Sequence, residues 1–418
     1  MKSIFYSLLL VCLSLGYMSC NKSNIPTDVS QEDVQPADPI ILTTKQAEKL
    51  AGDNAFAFNL FREVATSDDK ENAFISPLSV TMALGMLFNG TSPDARAEMA
   101  SVLGMSNFSD TEVNEYYQTM MQALLKIDPL SAISIANSIW SEKTFPVKQS
   151  FIDVNKKYYD AEVQSLDFLL QSTLDAINNW CAQKTNDKIE AILDQIPPNA
   201  VMYLINAVYF KSKWKFEFDN KYTKTTKFTL ENGTQIDLDM MSQTATIPHY
   251  ADEMLQCIEM PYGNQAFSMV AILPDWSKTL DDLVNYLDNT VWNTMLFNFH
   301  EREVTVQFPR FKQECEFQLK NPIDNLGMHL IFHPGGNLNS IADDSEICVS
   351  RIIHKTFVEV NEEGTEAAAV TAVETIKTSA GGSPQPVPFY ANRPFLYLIK
   401  ENSTGAILFI GRMDEPVQ

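Results

Sequence analysis

A run at residues 201–210, VMYLINAVYF, contains a single polar side chain, Asn206. A strand that is apolar on both faces must be covered on both, so this run belongs in the interior of a sheet with a layer packed on each side. Further strands are predicted at 133–140 (ISIANSIW), 268–274 (SMVAILP), 303–311 (EVTVQFPRF) and 356–360 (TFVEV).

Helix signals lie among these strands. The pairs Ser76-Pro77 and Ser92-Pro93 each place a capping hydroxyl before a proline, which is typical of a helix N-terminus. Gly104 is a plausible stop for the second helix. An earlier helix is predicted from an apolar stripe formed by Ala57, Leu60, Phe61 and Val64. Another helix is predicted around residues 177–180, INNW.

The C-terminal region predicts a hairpin of PFLYLIK and AILFIG, with Gly405 at its turn. Together these patterns indicate an α+β fold with large mixed sheets. A chain of 418 residues that is 45% hydrophobic is long enough for two or three domains. No internal repeat, Pro-rich linker or charge run interrupts its body, so we predict one domain over residues 45–418.

The N-terminus is typical of an exported protein. Lys2 precedes an apolar run over residues 4–18 that is shorter than a membrane-spanning helix, and Ser19 and Cys20 follow it. This layout resembles a bacterial lipoprotein signal, in which the Cys is lipidated after cleavage. Since Tyr17 stands where Leu is usual, an ordinary secretory signal is the alternative. We expect a signal peptide at 1–19 and a lipidated Cys20 with a flexible tether at 20–44, on a protein that is membrane-anchored or secreted.

The charge balance and the missing motifs narrow the function. With 31 basic and 53 acidic residues the net charge is −22, which argues against nucleic acid and anionic membrane surfaces as partners. No GxSxG, HExxH or P-loop motif occurs, and the five histidines lack metal-ligand spacing. The sequence therefore predicts no enzyme, no metal and no cofactor. Free thiols or a disulfide both remain open for Cys181, Cys257, Cys315 and Cys348.

Residues 362–379, EEGTEAAAVTAVETIKTS, are unusually rich in Ala and Thr. Every second residue is uncharged along the row Thr365, Ala367, Ala369, Thr371, Val373 and Thr375. Glu366 and Glu374 fall on the opposite face, which favours a strand with one buriable side. Alanine favours a helix instead, so the pattern alone leaves both structures open.

Six segments of the chain resemble a known family. They are NAFISPLSVTMALGMLFNGT, INAVYFKSKWKFEF, FPRF, VEVNEEGTEAAA, NRPFLYLI and LFIGRM, and they occur in the order and at about the spacing found in serpins, across residues 45–415. The resemblance implies a monomer with the serpin fold, in which large mixed sheets pack with about eight or nine helices. It also implies an exposed reactive-centre loop at about residues 362–388.

In serpins this loop is offered to a protease as a substrate. After the acyl-enzyme forms, the cut loop enters the large sheet as a new strand and the protease stays trapped. The implied partner is therefore a target protease in a covalent acyl complex, and the only membrane contact is the N-terminal lipid. Counting from Glu362 as serpins do places the reactive bond at Thr378-Ser379, with Lys377 as the alternative. The hinge that enters first would be Gly364, Thr365, Glu366, Ala367, Ala368, Ala369, Val370, Thr371 and Ala372.

The resemblance carries two further clusters onto this chain. The shutter is a hydrogen-bond cluster beneath the point where the sheet parts, and it is matched by Ser76, Ser79, Asn206 and His354. The breach is the place where insertion begins, and it is matched by Trp214, Arg310 and Glu362. Taken without the resemblance, Ser76 is a helix cap, while His354 and Trp214 are core residues.

The sequence thus predicts an exported bacterial serpin that irreversibly inhibits serine, or cysteine, endopeptidases. The alternative is a serpin fold without inhibition that serves as a binding protein or chaperone. The hinge of a serpin that does not inhibit usually carries a charge, a proline or bulky residues. Residues 367–372 of this chain contain none of these.

Overall fold

The computed structural model describes residues 35–66, 72–365 and 385–417. Within these ranges nine α-helices form: α1 (Thr44–Ala65), α2 (Pro77–Phe88), α3 (Pro93–Val102), α4 (Asp110–Leu124), α5 (Gln149–Tyr159), α6 (Gln171–Lys184), α7 (Leu280–Tyr286), α8 (Asn289–Asn298) and α9 (Lys320–Asn325). The strands in the same ranges are β1 (Ala73–Ile75), β2 (Ala132–Glu142), β3 (Glu162–Leu166), β4 (Met202–Lys213), β5 (Lys224–Thr229), β6 (Gln235–Ala251), β7 (Leu255–Pro261), β8 (Phe267–Pro274), β9 (His300–Pro309), β10 (Phe311–Gln318), β11 (Ile353–Asn361), β12 (Gly364–Thr365), β13 (Val387–Tyr390), β14 (Phe395–Glu401) and β15 (Ile407–Met413). The α+β class is confirmed.

A six-stranded sheet has the order β10-β11-β12-β4-β2-β3. Strand β4 contains the apolar run at 202–210 and lies between β12 and β2, so its predicted interior position is confirmed. Alternate β4 residues face different layers. Ile205 and Ala207 pack with α6, whereas Leu204 and Val208 pack against the main core. This covering of both faces is the reason that the run contains so few polar residues.

A nine-stranded sheet has the order β1-β15-β14-β8-β7-β6-β9-β13, with β5 paired to β6. Every residue of β8, β14 and β15 is buried, so these strands form the interior of the sheet. The predicted hairpin joins β14 to β15, and Gly405 at its turn has a φ of +74°, a conformation that glycine adopts without strain.

The run at 303–311 forms two strands, so the prediction of a single strand there was wrong. Strand β9 ends at Pro309 in the nine-stranded sheet, and β10 begins at Phe311 in the six-stranded sheet. Pro309 lacks the amide hydrogen needed to continue a ladder. Arg310 lies between the two sheets, where its amide donates to the carbonyl of Asp239 at 3.0 Å.

Helix α2 packs between the two sheets, against β4 and β15, and every residue except Ala83 is buried. Its predicted cap is confirmed, because the Ser76 hydroxyl accepts from the Ser79 amide at 3.2 Å. The predicted cap of α3 at Ser92 is confirmed too, and the Gly104 stop follows the end of that helix with a φ of +62°.

The described chain begins with a segment that contacts the body before α1 starts. The Ala37 amide donates to the carbonyl of Asn264 at 3.0 Å, and the Ile40 amide donates to the Ser403 hydroxyl at 2.9 Å. Ala37 and Ile40 are partly buried against the core, so ordered contacts start before residue 45. Within the described residues, no helix has the length and apolarity needed to cross a bilayer.

All four cysteines of the body are free thiols in the structure. Cys181, Cys257 and Cys315 are buried, whereas Cys348 is partly exposed. Burial raises the pKa of Cys181 to about 12, so this thiol stays protonated and unreactive near neutral pH.

Candidate functional site

The short strand β12 separates β11 from β4 at one end of the six-stranded sheet. Gly364 pairs with Asn361 on one side and Lys213 on the other, and Thr365 pairs with Val360 and Ser212. In the part of the chain that the structure describes, the backbones of β4 and β11 are joined only through β12. The two strands are therefore held one strand apart at this end.

Gly364 occupies a position that no larger residue fits. Its φ is +154°, and a Cβ built there would lie 2.1 Å from the carbonyl oxygen of Ser212 and 2.7 Å from the Cα of Lys213. Both neighbours are backbone atoms of β4, so they cannot rotate away. The reason for glycine at this hinge is thus close packing against β4 as well as freedom in φ.

Thr365 is buried, with 2% of its surface exposed, and its Oγ1 shares a 2.7 Å hydrogen bond with the Tyr262 hydroxyl. Burial raises the pKa of Tyr262, so that hydroxyl stays protonated. The Tyr262 ring stacks on Trp214 with ring centroids 4.4 Å apart. The Trp214 indole in turn donates to the carbonyl of Asn361 at 2.9 Å. An aromatic pair therefore supports both ends of the turn that leads into β12.

The carboxylate of Glu362 is buried, with 4% of its side chain exposed, beneath a partly exposed arginine. Arg310 donates to its two oxygens from Nη2 at 2.5 Å and from Nε at 3.2 Å, and the Thr223 hydroxyl donates at 2.6 Å. Burial alone would raise the pKa of Glu362, but these hydrogen bonds outweigh it and the pKa lies below its ordinary value. A bidentate, charge-assisted pair thus fixes the start of the hinge.

Further hydrogen bonds hold the backbone of the turn that leads into β12. The carbonyls of Glu362 and Glu363 accept from the amides of Phe218 and Trp214, each at 2.8 Å. The side chain of Asn361 accepts from the amides of Glu363 and Gly364 at 3.0 and 3.3 Å. Residues 361–364 are therefore held both by backbone groups of the segment after β4 and by the side chain of Asn361.

Farther down the sheet, His354 on β11 contacts the start of α2. Its Nε2 accepts from the Ser76 amide at 2.9 Å, and the Ser76 hydroxyl donates to the carbonyl of Leu408 on β15 at 2.8 Å. Burial lowers the pKa of His354 to about 4, so the imidazole is neutral near pH 7 and its proton is on Nδ1. Ser76 therefore connects both sheets in addition to capping its helix.

Asn206 on β4 faces the same region. Its Nδ2 donates to Asn137 on β2 at 2.7 Å, and Asn137 donates to the carbonyl of Tyr159 at 2.8 Å. The Ser79 hydroxyl lies 3.5 Å from the backbone carbonyl of Asn206. Among the described atoms, the buried Oδ1 of Asn206 has no hydrogen-bond partner. One acceptor in this polar cluster is thus unsatisfied.

A cleft of about 500 Å³ lies between β4 and β11. Its walls include residues 202–208 of β4 and 353–356 of β11, which precede the residues that pair with β12, so the cleft continues the line of that strand. Apolar residues of α2, among them Val80 and Leu84, form part of its floor. The predicted shutter residues all line it: Ser76, Ser79, Asn206 and His354.

A family model described as Serpin (serine protease inhibitor) matches residues 51–416. The chain belongs to the serpin family. That membership confirms the predicted fold and the prediction that the chain is not an enzyme, because serpins are protease inhibitors. This serpin is 32% identical to Iripin-2 of Ixodes ricinus over an alignment of 378 positions that covers 89% of this chain and 94% of that protein.

Solved structures agree with this membership. The native state of tengpin, a thermophilic serpin, matches with a TM-score of 0.81 at 32% identity, over 92% of this chain and 98% of tengpin. Its latent state matches with a TM-score of 0.77 at 30% identity, over 91% and 100%. Human thyroxine-binding globulin, complexed with thyroxine, matches with a TM-score of 0.81 at 24% identity, over 90% and 100%, which is a likeness of fold alone.

The predicted site residues that the structure describes fall into three groups. The breach residues Trp214, Arg310 and Glu362 come together at the turn before β12, the shutter residues surround the cleft, and the hinge residues Gly364 and Thr365 form β12. The other predicted positions lie outside the described residues: Glu366, Ala367, Ala368, Ala369, Val370, Thr371, Ala372, Lys377, Thr378, Ser379 and Cys20. No grouping of His, Cys, Asp and Glu suited to a metal ion occurs within the described ranges.

Three residues that complete these clusters were not predicted from the sequence. Tyr262 and Thr223 lie in short connections whose pattern says nothing about their contacts. Asn137 could have been found, because it is a polar residue in the alternating run at 133–140. It lies directly opposite Asn206 when β2 and β4 pair, so the two amides are brought together by the strand register.

Proposed function

We propose that this serpin is an irreversible suicide-substrate inhibitor of serine endopeptidases, with cysteine endopeptidases as a second target class. The observation that carries the proposal is β12. The first two residues of the described hinge already pair between β4 and β11, and the cleft continues along the same line. A cut loop that advances from Thr365 would extend an existing strand.

The chemistry requires no catalytic group from the inhibitor. The protease nucleophile attacks the reactive bond, the new amine end leaves, and the loop remains attached to the enzyme as an ester or thioester. Insertion of the loop then carries the protease along and distorts its oxyanion hole, so water no longer completes deacylation. The inhibitor is consumed once for each protease that it traps.

The side chains of the hinge suit the apolar cleft that they would enter. The alternate residues that follow Thr365 in its register are uncharged, and the cleft floor contains Val80 and Leu84 of α2. The acids Glu366 and Glu374 belong to the other face of the same run. A strand formed from this segment would bury small, neutral side chains and leave its carboxylates outside.

The same proposal includes the position of the reactive bond, the extent of the domain and the route of export. The reactive bond is Thr378-Ser379, with Lys377 as the alternative, in a loop spanning about residues 362–388 of a single domain at 45–418. Residues 1–19 are a bacterial signal peptide, and a lipid on Cys20 anchors the monomer through the segment that ends at residue 44. The protein then acts outside the cytoplasm, membrane-anchored or secreted, on a protease from its surroundings.

A binding protein of the same fold is the alternative, because thyroxine-binding globulin, which shares the fold, is complexed with thyroxine. The two functions differ in what happens after the loop is cut. A binding protein would be cut in the loop and would leave the protease active and unattached, whereas an inhibitor keeps the protease attached.

The test is incubation of the purified chain with a trypsin-like, an elastase-like and a papain-like protease. We expect at least one of these proteases to form an adduct that survives boiling in SDS. The C-terminal peptide released there should have the mass of a fragment that begins at Ser379. Complete cleavage without an adduct for every protease would refute inhibition by trapping.

A further inference from the structure

The pairing of β12 determines where each later residue of the loop would lie if that strand were extended. Thr365 lies opposite Val360 of β11 and Ser212 of β4, and both pairings are antiparallel. Each step forward from Thr365 is therefore one step backward along both walls of the cleft. Neither wall contains a bulge, and the ladder continues past the start of β11, where the Leu319 amide donates to the carbonyl of Ile352 at 2.8 Å. The register can thus be followed along the cleft.

Arg351 and Tyr203 face each other across the far end of the cleft. They lie nine residues before Val360 and Ser212, respectively, so the register places them in one row. Their side chains agree with this row, because Nη2 of Arg351 donates to the Tyr203 hydroxyl at 3.4 Å. The same nitrogen donates to the backbone carbonyl of Gln195, in the segment after α6, at 3.0 Å. The two walls therefore keep the register of β12 over nine rows.

Arg351 has a charge without a carboxylate partner in the described part of the chain. Both of its hydrogen bonds there go to uncharged oxygens, and its side chain is partly exposed at the wall of the cleft. A guanidinium presents its donors in a planar fork that matches a carboxylate. This row is therefore suited to an acidic side chain that enters between the two walls.

Glu374 is the loop residue that belongs in this row. It follows Thr365 by nine residues, so an extended strand would place it between Arg351 and Tyr203. Thr365 faces the core, and a residue an odd number of positions later faces the opposite side of the sheet. By the same count Arg351 faces away from the core, because Val360 is buried. The carboxylate and the guanidinium would thus meet on one face.

A second row shows the same match of charges. Glu366 would lie opposite Lys211 of β4 and Glu359 of β11, one step beyond Thr365. Glu359 already lies 3.6 Å from Lys188, in the segment after α6. Lys211 on the other wall then faces the carboxylate of Glu366, and opposite charges in one row stabilise a sheet. Both acids on the outward side of the loop therefore meet a cation.

The three outward rows between these two contain no acid. The loop residues there are Ala368, Val370 and Ala372. Apart from one lysine, the wall residues opposite them are apolar or aromatic: Tyr209 with Phe357, Ala207 with Lys355, and Ile205 with Ile353. A slip of the strand by two residues would move Glu374 from Arg351 to the row of Ile205 and Ile353. The position of the arginine thus distinguishes the correct register from its neighbour.

We propose that Arg351 is a positioning residue for loop insertion, and that with Tyr203 it binds the carboxylate of Glu374. This inference rests on the proposed function, because it requires the cut loop to enter the cleft. Glu374 precedes Thr378 by four residues, so the pair forms only when insertion is almost complete. It therefore stabilises the inserted state and not the starting state, and it fixes the register in which the strand stops.

The test compares melting temperatures before and after the loop is cut by a protease that is not trapped. Mass spectrometry confirms that the cut follows Glu374 in the sequence. Arg351→Gln and Glu374→Gln should each reduce the rise in melting temperature by about 3 °C. The double variant should lose no more than either single variant, because both changes remove the same pair. Intact Glu374→Gln should melt with the intact wild type.

Exchange of the two charges separates a specific pair from a general effect on folding. Arg351→Glu should reduce the rise more than Arg351→Gln, since two carboxylates would share the row. Adding Glu374→Arg to Arg351→Glu should restore most of the loss. The matched control adds Glu253→Arg instead, at an exposed position between β6 and β7, which gives the same net charge. It should restore nothing.

Additive losses in the double glutamine variant would overturn the inference, and so would equal melting temperatures for the exchanged pair and the Glu253→Arg control. A wild-type chain that gains no stability when cut would overturn it too. Failure of the proposed function gives a different result. In that case the cut chain gains stability and the exchange restores it, but no active protease forms an adduct.

Discussion

Gly364 offers a direct test of the hinge, because its Cβ position is occupied by the backbone of β4. Gly364→Ala should expel the hinge from β12 and lower the free energy of unfolding by about 1–3 kcal/mol, because the added Cβ collides with β4 and the backbone is strained. A slower entry of the loop should raise the number of inhibitor molecules consumed per protease trapped. Titration of protease activity against inhibitor measures that number.

Gly233→Ala is the matched control for Gly364→Ala. Gly233 also has a positive φ of +82°, but no heavy atom lies within 4 Å of its Cβ position. The control therefore carries the conformational strain without the collision. An equal titration result for the two variants would show that packing against β4 has no part in hinge entry.

The assignment of the reactive bond can be tested at Thr378. Thr378→Arg should redirect the inhibitor towards trypsin-like proteases, because the residue before the cut enters the specificity pocket of the enzyme. We expect the second-order rate constant with a trypsin-like protease to increase about tenfold or more, while Lys377→Ala has little effect. If Lys377→Ala alone abolished inhibition of the trypsin-like protease, the reactive bond would instead follow Lys377.

The cluster between β11 and α2 makes stability depend on pH. His354 stays neutral in the native protein down to about pH 4, whereas in the unfolded chain a histidine takes up its proton near pH 6.5. The unfolded state therefore binds more protons between these values, and native stability falls as the pH decreases from 6.5 to 4, by about 3 kcal/mol at most. Urea unfolding midpoints over this range measure the loss.

His354→Gln should remove this part of the pH dependence, since glutamine keeps an acceptor for the Ser76 amide but does not titrate. His300→Gln, at an exposed position, should retain the profile of the wild type. Parallel profiles for wild type and His354→Gln would contradict the assignment of the loss to this residue.

Strands and helices were predictable wherever their periodicity was long. The apolar run in β4, the proline caps of α2 and α3 and the hairpin of β14 and β15 follow from local physics, and the structure confirms them. The break at Arg310 was missed, although the period of two changes phase there. The buried residues are Val304, Val306 and Phe308 before the break and Phe311, Gln313 and Cys315 after it, because the chain changes sheets between them. Periodicity reports which face is buried, not which sheet the strand joins.

The candidate site was predictable to a smaller extent. Its charged and aromatic members came from a family resemblance, and the pairing of Glu362 with Arg310 depends on two elements that are far apart in sequence. Tyr262 could not be found, because its hydrogen bond to Thr365 exists only after the connection between β7 and β8 is placed beside β12. Contacts of this kind require the tertiary structure.

Inhibition by loop insertion requires that the whole molecule is kinetically trapped in a native fold of higher free energy than the fold with the loop inserted. Cleavage within residues 366–384 by a protease that is not trapped should let the loop fill the cleft. We expect the melting temperature to rise by about 10 °C or more, given the usual relation between stability and melting temperature. Differential scanning calorimetry before and after cleavage measures the shift.

Thr365→Arg is the control for the cleavage experiment. An arginine at this buried position beside Tyr262 would carry an unpaired charge and expel the hinge from β12, so the cut loop would have no strand to extend. The cleaved variant should keep the melting temperature of its intact form. A wild-type chain whose melting temperature is unaltered by the cut would refute the trapped state.

Ser76 has a further use in solution experiments. Its amide belongs to a buried helix start, yet the acceptor of that amide is the imidazole of His354 on a neighbouring strand. Exchange of this one hydrogen with deuterated solvent therefore requires β11 to move away from α2, even while the helix stays intact. A single NMR cross-peak would then report how often the sheet opens, without any protease present.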